Sequence, residues 1–88
     1  MILNPKHEDF EKLFLCPKTN QFIYIQYLSD DPEYDFDYTI FDDQFNDIDG
    51  GVIGQRSDWD LQEAAIEATG DYSLVEKDLD YYRKAGIL

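Results

Sequence analysis

The sequence is poor in the residues on which enzyme catalysis and covalent cross-linking usually depend. Its 88 residues include one cysteine, Cys16, and one histidine, His7. A single cysteine cannot form an internal disulfide bond, so nothing indicates an oxidising compartment. The thiol also lacks a base to activate it, because the histidine falls in the first turn of a predicted helix. We therefore expect no catalytic residues, no cofactor and no enzymatic activity.

Long apolar segments are absent as well. No uninterrupted apolar run approaches the roughly 20 residues that a membrane-spanning helix needs. The segment Met1–Glu8 lacks the basic residues and extended apolar stretch of a secretory signal peptide. The sequence therefore predicts a cytoplasmic protein that does not enter the membrane.

Positive charge is the third deficit. The chain has seven lysines and arginines against 20 acidic residues, a net charge of −13, and no basic residue lies between Thr19 and Gln55. A field of this sign repels nucleic acid and anionic membranes and attracts basic proteins and cations. The predicted binding residues are the nine carboxylates of this stretch and one loop tyrosine: Asp30, Asp31, Glu33, Tyr34, Asp35, Asp37, Asp42, Asp43, Asp47 and Asp49.

The charge pattern supports three functional hypotheses. The first is a non-enzymatic module that presents the carboxylates to a basic surface of another protein. The second is a nucleic acid mimic, in which carboxylates take the place of phosphates. The third is a domain that binds Ca²⁺ or Mg²⁺, for which carboxylates are suitable ligands. A merely solvated surface is the simplest alternative.

An EF-hand does not fit the sequence. Aligning Gly50 with the glycine of the calcium loop puts Phe45 at the first ligand position and Arg56 at the last. We therefore assign no metal-binding residues.

Hydrophobic residues are abundant enough for a folded domain despite this charge. They make up 43% of the chain, and 16% of its residues are aromatic, whereas acidic disordered segments have few aromatics. A chain of this length has room for one core. Residues 1–88 are therefore expected to form a single domain.

The N-terminal pattern admits two interpretations. Asn4-Pro5 suits a helix start, and an apolar stripe with helical spacing follows, which predicts a short helix over residues 5–14. The alternative is a strand at residues 13–16 that forms a hairpin with the next segment.

Three strands are predicted after this segment. Phe22–Leu28 is β-branched and aromatic, as in a central strand. Asp35–Phe41 alternates between polar and apolar residues, which indicates an antiparallel strand with one solvated face. Ile48–Gln55 is the third, and Gly50-Gly51 within it indicates a bulge or a close backbone approach.

Two helices are predicted at the C-terminus. Ser57 with Asp60, and Ser73 with Glu76, have the spacing of capping boxes, and an apolar stripe follows each. The whole order predicts an α+β fold. We expect a three-stranded, or four-stranded, antiparallel β-meander with a short N-terminal helix and both C-terminal helices packed on one face.

Three segments, Asp37–Asp42, Phe45–Ile53 and Leu61–Ala64, resemble small acidic proteins of gut Firmicutes. Some of those proteins accompany conjugative or phage-like elements as domains of unknown function. The resemblance implies an accessory or anti-defence protein, a class in which acidic nucleic acid mimics occur. It implies no catalytic or ligand residue.

Overall fold

The structure is a computed structural model that describes residues 10–28, 31–54 and 58–88. These residues form an α+β fold of five strands and two helices. In chain order the elements are β1 Glu11–Cys16, β2 Gln21–Tyr27, β3 Phe36–Phe41, β4 Asp47–Ile53, α1 Leu61–Thr69, β5 Val75–Lys77 and α2 Leu79–Lys84.

The five strands make one antiparallel sheet in the order β4-β3-β2-β1-β5. Strands β1 to β4 are neighbours in the sheet because short connections join them, as in a meander. The chain then passes through α1 and returns as β5 beside β1. The predicted α+β class and antiparallel sheet are confirmed, with β2 at the centre, but the sheet has five strands rather than three or four.

Strand β1 occupies part of the segment that was predicted to be helical. It pairs with β2 along its length, from Glu11 opposite Gln26 to Cys16 opposite Gln21. The hairpin alternative is therefore confirmed, and the helix is wrong for residues 11–14, whereas residues 5–9 lie outside the described residues. The apolar residues have a helix-like spacing because both faces of β1 are covered. Apolar residues are therefore buried on either face of the strand instead of alternating with polar ones.

The main core lies between the sheet and α1. Phe14, Ile23, Ile25 and Phe36 project from three strands towards the helix, and all four are buried. The buried helix residues that meet them are Leu61, Ala64 and Ala65, at the i, i+3 and i+4 spacing of one helical face. Alanine at two of these positions removes bulk between the helix and the sheet.

The ends of α1 are set by capping residues. Asp60 is the N-cap, and its carboxylate and that of Glu63 form a reciprocal capping box with each other's backbone N–H. The predicted box at Ser57 and Asp60 is therefore displaced by three residues, and Ser57 lies outside the described residues. Gly70 ends the helix at φ 71°, the left-handed conformation that favours glycine.

Helix α2 lies against the opposite face of the sheet, so the prediction that both C-terminal helices share one face is wrong. Phe22 and Glu11 project away from α1, and they meet the Tyr82 ring, at 5.8 Å, and the Arg83 guanidinium. The helix begins after Asp78, whose carboxylate caps it. The strand β5 explains the difference, because it carries the chain to the sheet edge, from which α2 turns onto the second face.

Phe45 joins the β3–β4 turn to α2. Its backbone has φ 62°, which is unusual for a residue with a side chain. Its ring lies 4.3 Å from that of Phe22, 5.7 Å from Phe41 and 5.2 Å from Tyr82. This aromatic contact explains why a phenylalanine occupies a turn position where glycine or asparagine is usual.

Asp71 holds the connection between α1 and β5. Its carboxylate is buried and accepts hydrogen bonds from the Cys16 thiol, at 2.9 Å, and from the backbone and hydroxyl of Ser73. These hydrogen bonds, that of Cys16 most of all, lower the pKa of Asp71 to about 2. The thiol is therefore explained as a buried donor that ties β1 to this connection.

Candidate functional site

The sheet separates its charges by strand. Among the described residues, every lysine and arginine lies on β1, the β1–β2 turn, β5 or α2. Residues 31–54, which include β3 and β4 at the other side of the sheet, contain no basic residue and eight acidic ones. We call these eight residues the acidic edge: Asp31, Glu33, Asp35, Asp37, Asp42, Asp43, Asp47 and Asp49.

Two ion pairs lie on the basic side of the sheet. Lys12 on β1 and Glu76 on β5 are 3.2 Å apart, and Arg83 on α2 pairs with Glu11 on β1. Lys12 and Glu76 are therefore engaged on β1 and β5, three and four strands away from β4, and Arg83 is engaged with Glu11 on β1.

The acidic edge extends from one end of the sheet to the other. Asp31, Glu33 and Asp35 lie in the β2–β3 connection at one end, and Asp42 and Asp43 lie in the β3–β4 turn at the opposite end. The remaining members, Asp37, Asp47 and Asp49, lie on the strands between these ends. Asp30, which was also predicted to bind, lies outside the described residues. The predicted carboxylates thus share one side of the molecule without converging on a point.

Two of these carboxylates also shape the loops that carry them. Asp31 Oδ1 accepts the backbone N–H groups of Glu33 and Tyr34, at 2.8 and 3.1 Å. Asp42 Oδ1 accepts those of Gln44 and Asn46, each at 2.9 Å, and hydrogen bonds from Asn46 lower the pKa of Asp42. Both side chains are therefore held in position by the backbone of their own loops.

Asp37 continues into a polar network on the α2 face. Gln26 Nε2 donates to Asp37 Oδ2 at 3.1 Å, and the Tyr24 hydroxyl next to it donates to Glu11, the partner of Arg83. Burial and the bond to Glu11 raise the pKa of Tyr24 to about 12, whereas the hydrogen bond from Arg83 lowers the pKa of Glu11. This face was predicted to be solvated, but Asp37 is only partly exposed.

Strand β4 is the exposed border of the acidic edge. Asp47 and Asp49 are exposed, and so are the apolar residues Ile48 and Val52, at 49% and 50%. The prediction named the aspartates but missed the two apolar residues. The sequence feature that could have identified them is their β-branched side chains. They lie on either side of Gly50-Gly51, so the centre of the strand carries no large side chain.

The glycines of β4 fit the predicted alternatives in part. The pairing of β3 with β4 is irregular at Ile40 and Phe41, next to the glycines rather than at them. Gly51 does have a close neighbour, because a Cβ atom there would lie 2.8 Å from the Tyr38 hydroxyl. The tyrosine ring thus occupies the space that a side chain at Gly51 would need.

Tyr34 lies in the β2–β3 connection, where it was predicted to be an exposed contact residue. Its exposed fraction is 37%, and its ring lies beside Gly54, 3.3 Å from the position of a Cβ atom there. The tyrosine therefore lies at the same end of β4 as Asp31 and Glu33. Its role in binding stays a prediction.

Two grooves of the described surface lie away from the acidic edge. One of about 340 Å³ lies on the outer side of α1 beside Trp59 and Tyr72, and one of about 430 Å³ lies between Phe10, β5 and α2. None of the acidic-edge residues lines either groove. Within the described ranges, no group of three or more histidine, cysteine, aspartate or glutamate residues is arranged to hold a metal ion.

In comparisons with known proteins, no protein family, curated protein or solved structure matches the chain. The resemblance to small acidic proteins of gut Firmicutes stays a prediction. No helix in the described part of the chain is long and apolar enough to cross a membrane. The class that the fold defines is a small α+β domain whose antiparallel sheet is acidic on one side.

Proposed function

We propose that this chain is a non-enzymatic interaction module whose acidic edge binds a basic surface of another protein. The supporting observation is the separation of charge across the sheet, with eight carboxylates and no lysine or arginine in residues 31–54. Like charges held close together oppose folding, and a cationic partner removes this cost on binding. Their arrangement on one side gives a partner a single surface to approach.

The geometry favours a protein partner over a single metal ion. A Ca²⁺ or Mg²⁺ site needs about six or more oxygen ligands around one point. The acidic edge instead runs along two connections and two strands, and three of its carboxylates, those of Asp31, Asp42 and Asp49, accept backbone N–H groups. A surface of this shape meets cations that are themselves spread over a surface.

Affinity capture with charge variants tests the proposal. An edge variant removes three acidic-edge charges other than those of Asp31, Asp42 and Asp49, whose carboxylates accept backbone N–H groups, and a control variant removes three charges elsewhere. The edge variant is Glu33→Gln, Asp43→Asn and Asp47→Asn, and the control is Asp58→Asn, Glu67→Gln and Asp80→Asn. We expect wild type and control to capture a basic protein at low salt, and the edge variant to capture several-fold less.

Equal capture by the edge and control variants would contradict the proposal, because the total charge would then matter and its position would not. Competition by duplex DNA adds a second readout. If the duplex displaces this chain from its partner, the partner's nucleic acid site is the one occupied, as the mimic hypothesis expects. If it does not, the contact is with another basic surface.

A further inference from the structure

Among the described strands, β4 ends the sheet with an edge that no other strand pairs. Its only neighbour among the described strands is β3, and all seven of its residues except Gly51 and Ile53 are exposed. The other border of the sheet, β5, has three residues. An edge strand presents a row of backbone N–H and C=O groups that pairs readily with an added strand. Of the two borders, β4 therefore offers the longer template.

Two features hinder strand pairing along one half of this edge. The pairing irregularity at Ile40 and Phe41 lies opposite the start of β4, and Asp49 Oδ1 accepts the Gly50 backbone N–H at 2.8 Å. Bulges and charged side chains are the usual means by which proteins prevent edge strands from associating. The group that occupies the Gly50 N–H is the Asp49 carboxylate. A cation that pairs with Asp49 therefore releases this N–H for a new backbone partner.

The two faces of β4 differ in chemistry. Its register with β3 places Asp49 on the α1 face, opposite Ile40, and Val52 on the α2 face, opposite Asp37. Ile48 is the second exposed apolar residue, and Gly50 between it and Val52 adds no side chain. A strand added beside the second half of β4 therefore meets the Asp49 carboxylate on one face and Val52 on the other.

A second copy of this chain does not fit that edge. Each copy carries a net charge of −13, and pairing β4 with itself would place two strands that both carry Asp47 and Asp49 side by side. Like charges placed across neighbouring strands destabilise their pairing. The edge is thus complementary to a strand of opposite charge.

We propose that β4 binds, by strand addition, an extended segment of the partner in which basic residues alternate with β-branched apolar residues. This inference rests on the proposed function and specifies how the basic partner is held. The basic residues pair with Asp49 and the neighbouring carboxylates, and the apolar residues contact Ile48 and Val52. Backbone hydrogen bonds to the outer edge of β4 complete the contact.

The experiment uses a synthetic peptide of seven alternating lysine and valine residues, the length of β4. A second peptide of the same sequence carries N-methyl groups at alternate amides, which removes backbone donors and keeps the charge. The protein variants are Val52→Lys on β4 and, as the control, Val75→Lys on the opposite edge; the two valines are about equally exposed, at 50% and 47%. Binding is measured by titration, and NMR amide shifts map the site.

We expect the unmethylated peptide to shift the amides of β4 and to protect them from hydrogen exchange. Val52→Lys should weaken this binding roughly tenfold, because it replaces an apolar contact by a like charge, whereas Val75→Lys should change it less than about twofold. The N-methylated peptide should bind wild type at least about tenfold more weakly than the unmethylated peptide. This comparison uses the wild-type protein alone, so it does not depend on whether either variant folds.

Equal affinity for the two peptides would overturn the strand-addition inference, and so would equal effects of Val52→Lys and Val75→Lys. The edge variant with Glu33→Gln, Asp43→Asn and Asp47→Asn separates this failure from that of the proposed function. If the two peptides bind wild type equally and the edge variant binds both more weakly, the acidic edge binds cations without strand addition. If the edge variant binds both as tightly as wild type, the proposed function is wrong as well.

Discussion

Truncation of Phe45 provides a sensitive test of how α2 is held on the sheet. The residue has a left-handed backbone, and its ring contacts the rings of Phe22, Phe41 and Tyr82. The strain and the contacts act in opposite directions. Replacement by alanine removes the contacts and keeps the strain, whereas replacement by glycine removes both.

The structure sets the expected magnitudes. Truncating a fully buried phenylalanine to alanine costs about 3–5 kcal/mol, and Phe45 is only partly buried, so we expect Phe45→Ala to cost about 2–3 kcal/mol. Phe45→Gly should be about 1 kcal/mol more stable than Phe45→Ala, because glycine adopts positive φ without strain. These losses are large beside a total stability of about 4–13 kcal/mol for a chain of this length.

Urea unfolding followed by far-UV circular dichroism measures these differences. A loss of this size should lower the midpoint by roughly 1–2 M, with no change in the slope. A double-mutant cycle of Phe45→Ala with Tyr82→Ala should give a coupling of about 0.5–1.5 kcal/mol, since the two rings are 5.2 Å apart. Tyr72→Ala is the matched control, because Tyr72 is 83% exposed and should contribute less than about 0.5 kcal/mol.

Two results would refute this reasoning. If Phe45→Ala unfolds at the urea concentration of wild type, the ring contacts do not hold α2. If Phe45→Gly is less stable than Phe45→Ala, the left-handed backbone is not strained in the way the φ angle indicates.

Four further predictions concern other parts of the molecule. The pKa of Asp71 near 2 lies below its unfolded value of about 4, so its carboxylate adds stability that is complete above pH 4 and fades as the pH falls towards 2. Asp71→Asn should therefore be less stable at neutral pH and vary less with pH in that window, as urea unfolding at several pH values will show. Gly51→Ala should cost about 1–3 kcal/mol in thermal unfolding, because the new methyl group displaces the Tyr38 ring. Arg83→Lys keeps the charge but loses the two-point contact with Glu11, which should cost less than about 1 kcal/mol and vanish in high salt. Added salt should raise the melting temperature of wild type by screening the acidic edge, and a melting temperature independent of salt would count against that repulsion.

Prediction from the sequence succeeded where one residue pattern has one structural solution. The alternation of Phe36, Tyr38 and Ile40 with polar residues allows only a strand with one apolar face, and that strand is β3. Prediction failed at β1, because Leu13 and Phe14 are adjacent and both buried, a pattern shared by a covered strand and a helix. It failed at β5 because three residues carry too little pattern to identify a strand.

The candidate site shows the same division. The carboxylates and the missing cations between Thr19 and Gln55 are visible in the sequence, because charge needs no fold to be counted. Their position at one side of the sheet was not visible, since it depends on the strand order β4-β3-β2-β1-β5. The exposure of Ile48 and Val52 depends on the same order, because it makes β4 a border.

By itself, the sequence determined the α+β class, the central strand β2 and the sign of the surface charge, because each follows from local periodicity or from composition. Only the tertiary structure decided that β5 joins β1 and that α2 covers the face opposite α1. It also decided that the acidic strand β4 forms one border of the described sheet. These features depend on contacts between residues far apart in the chain, such as Phe22 with Tyr82, and local patterns do not report them.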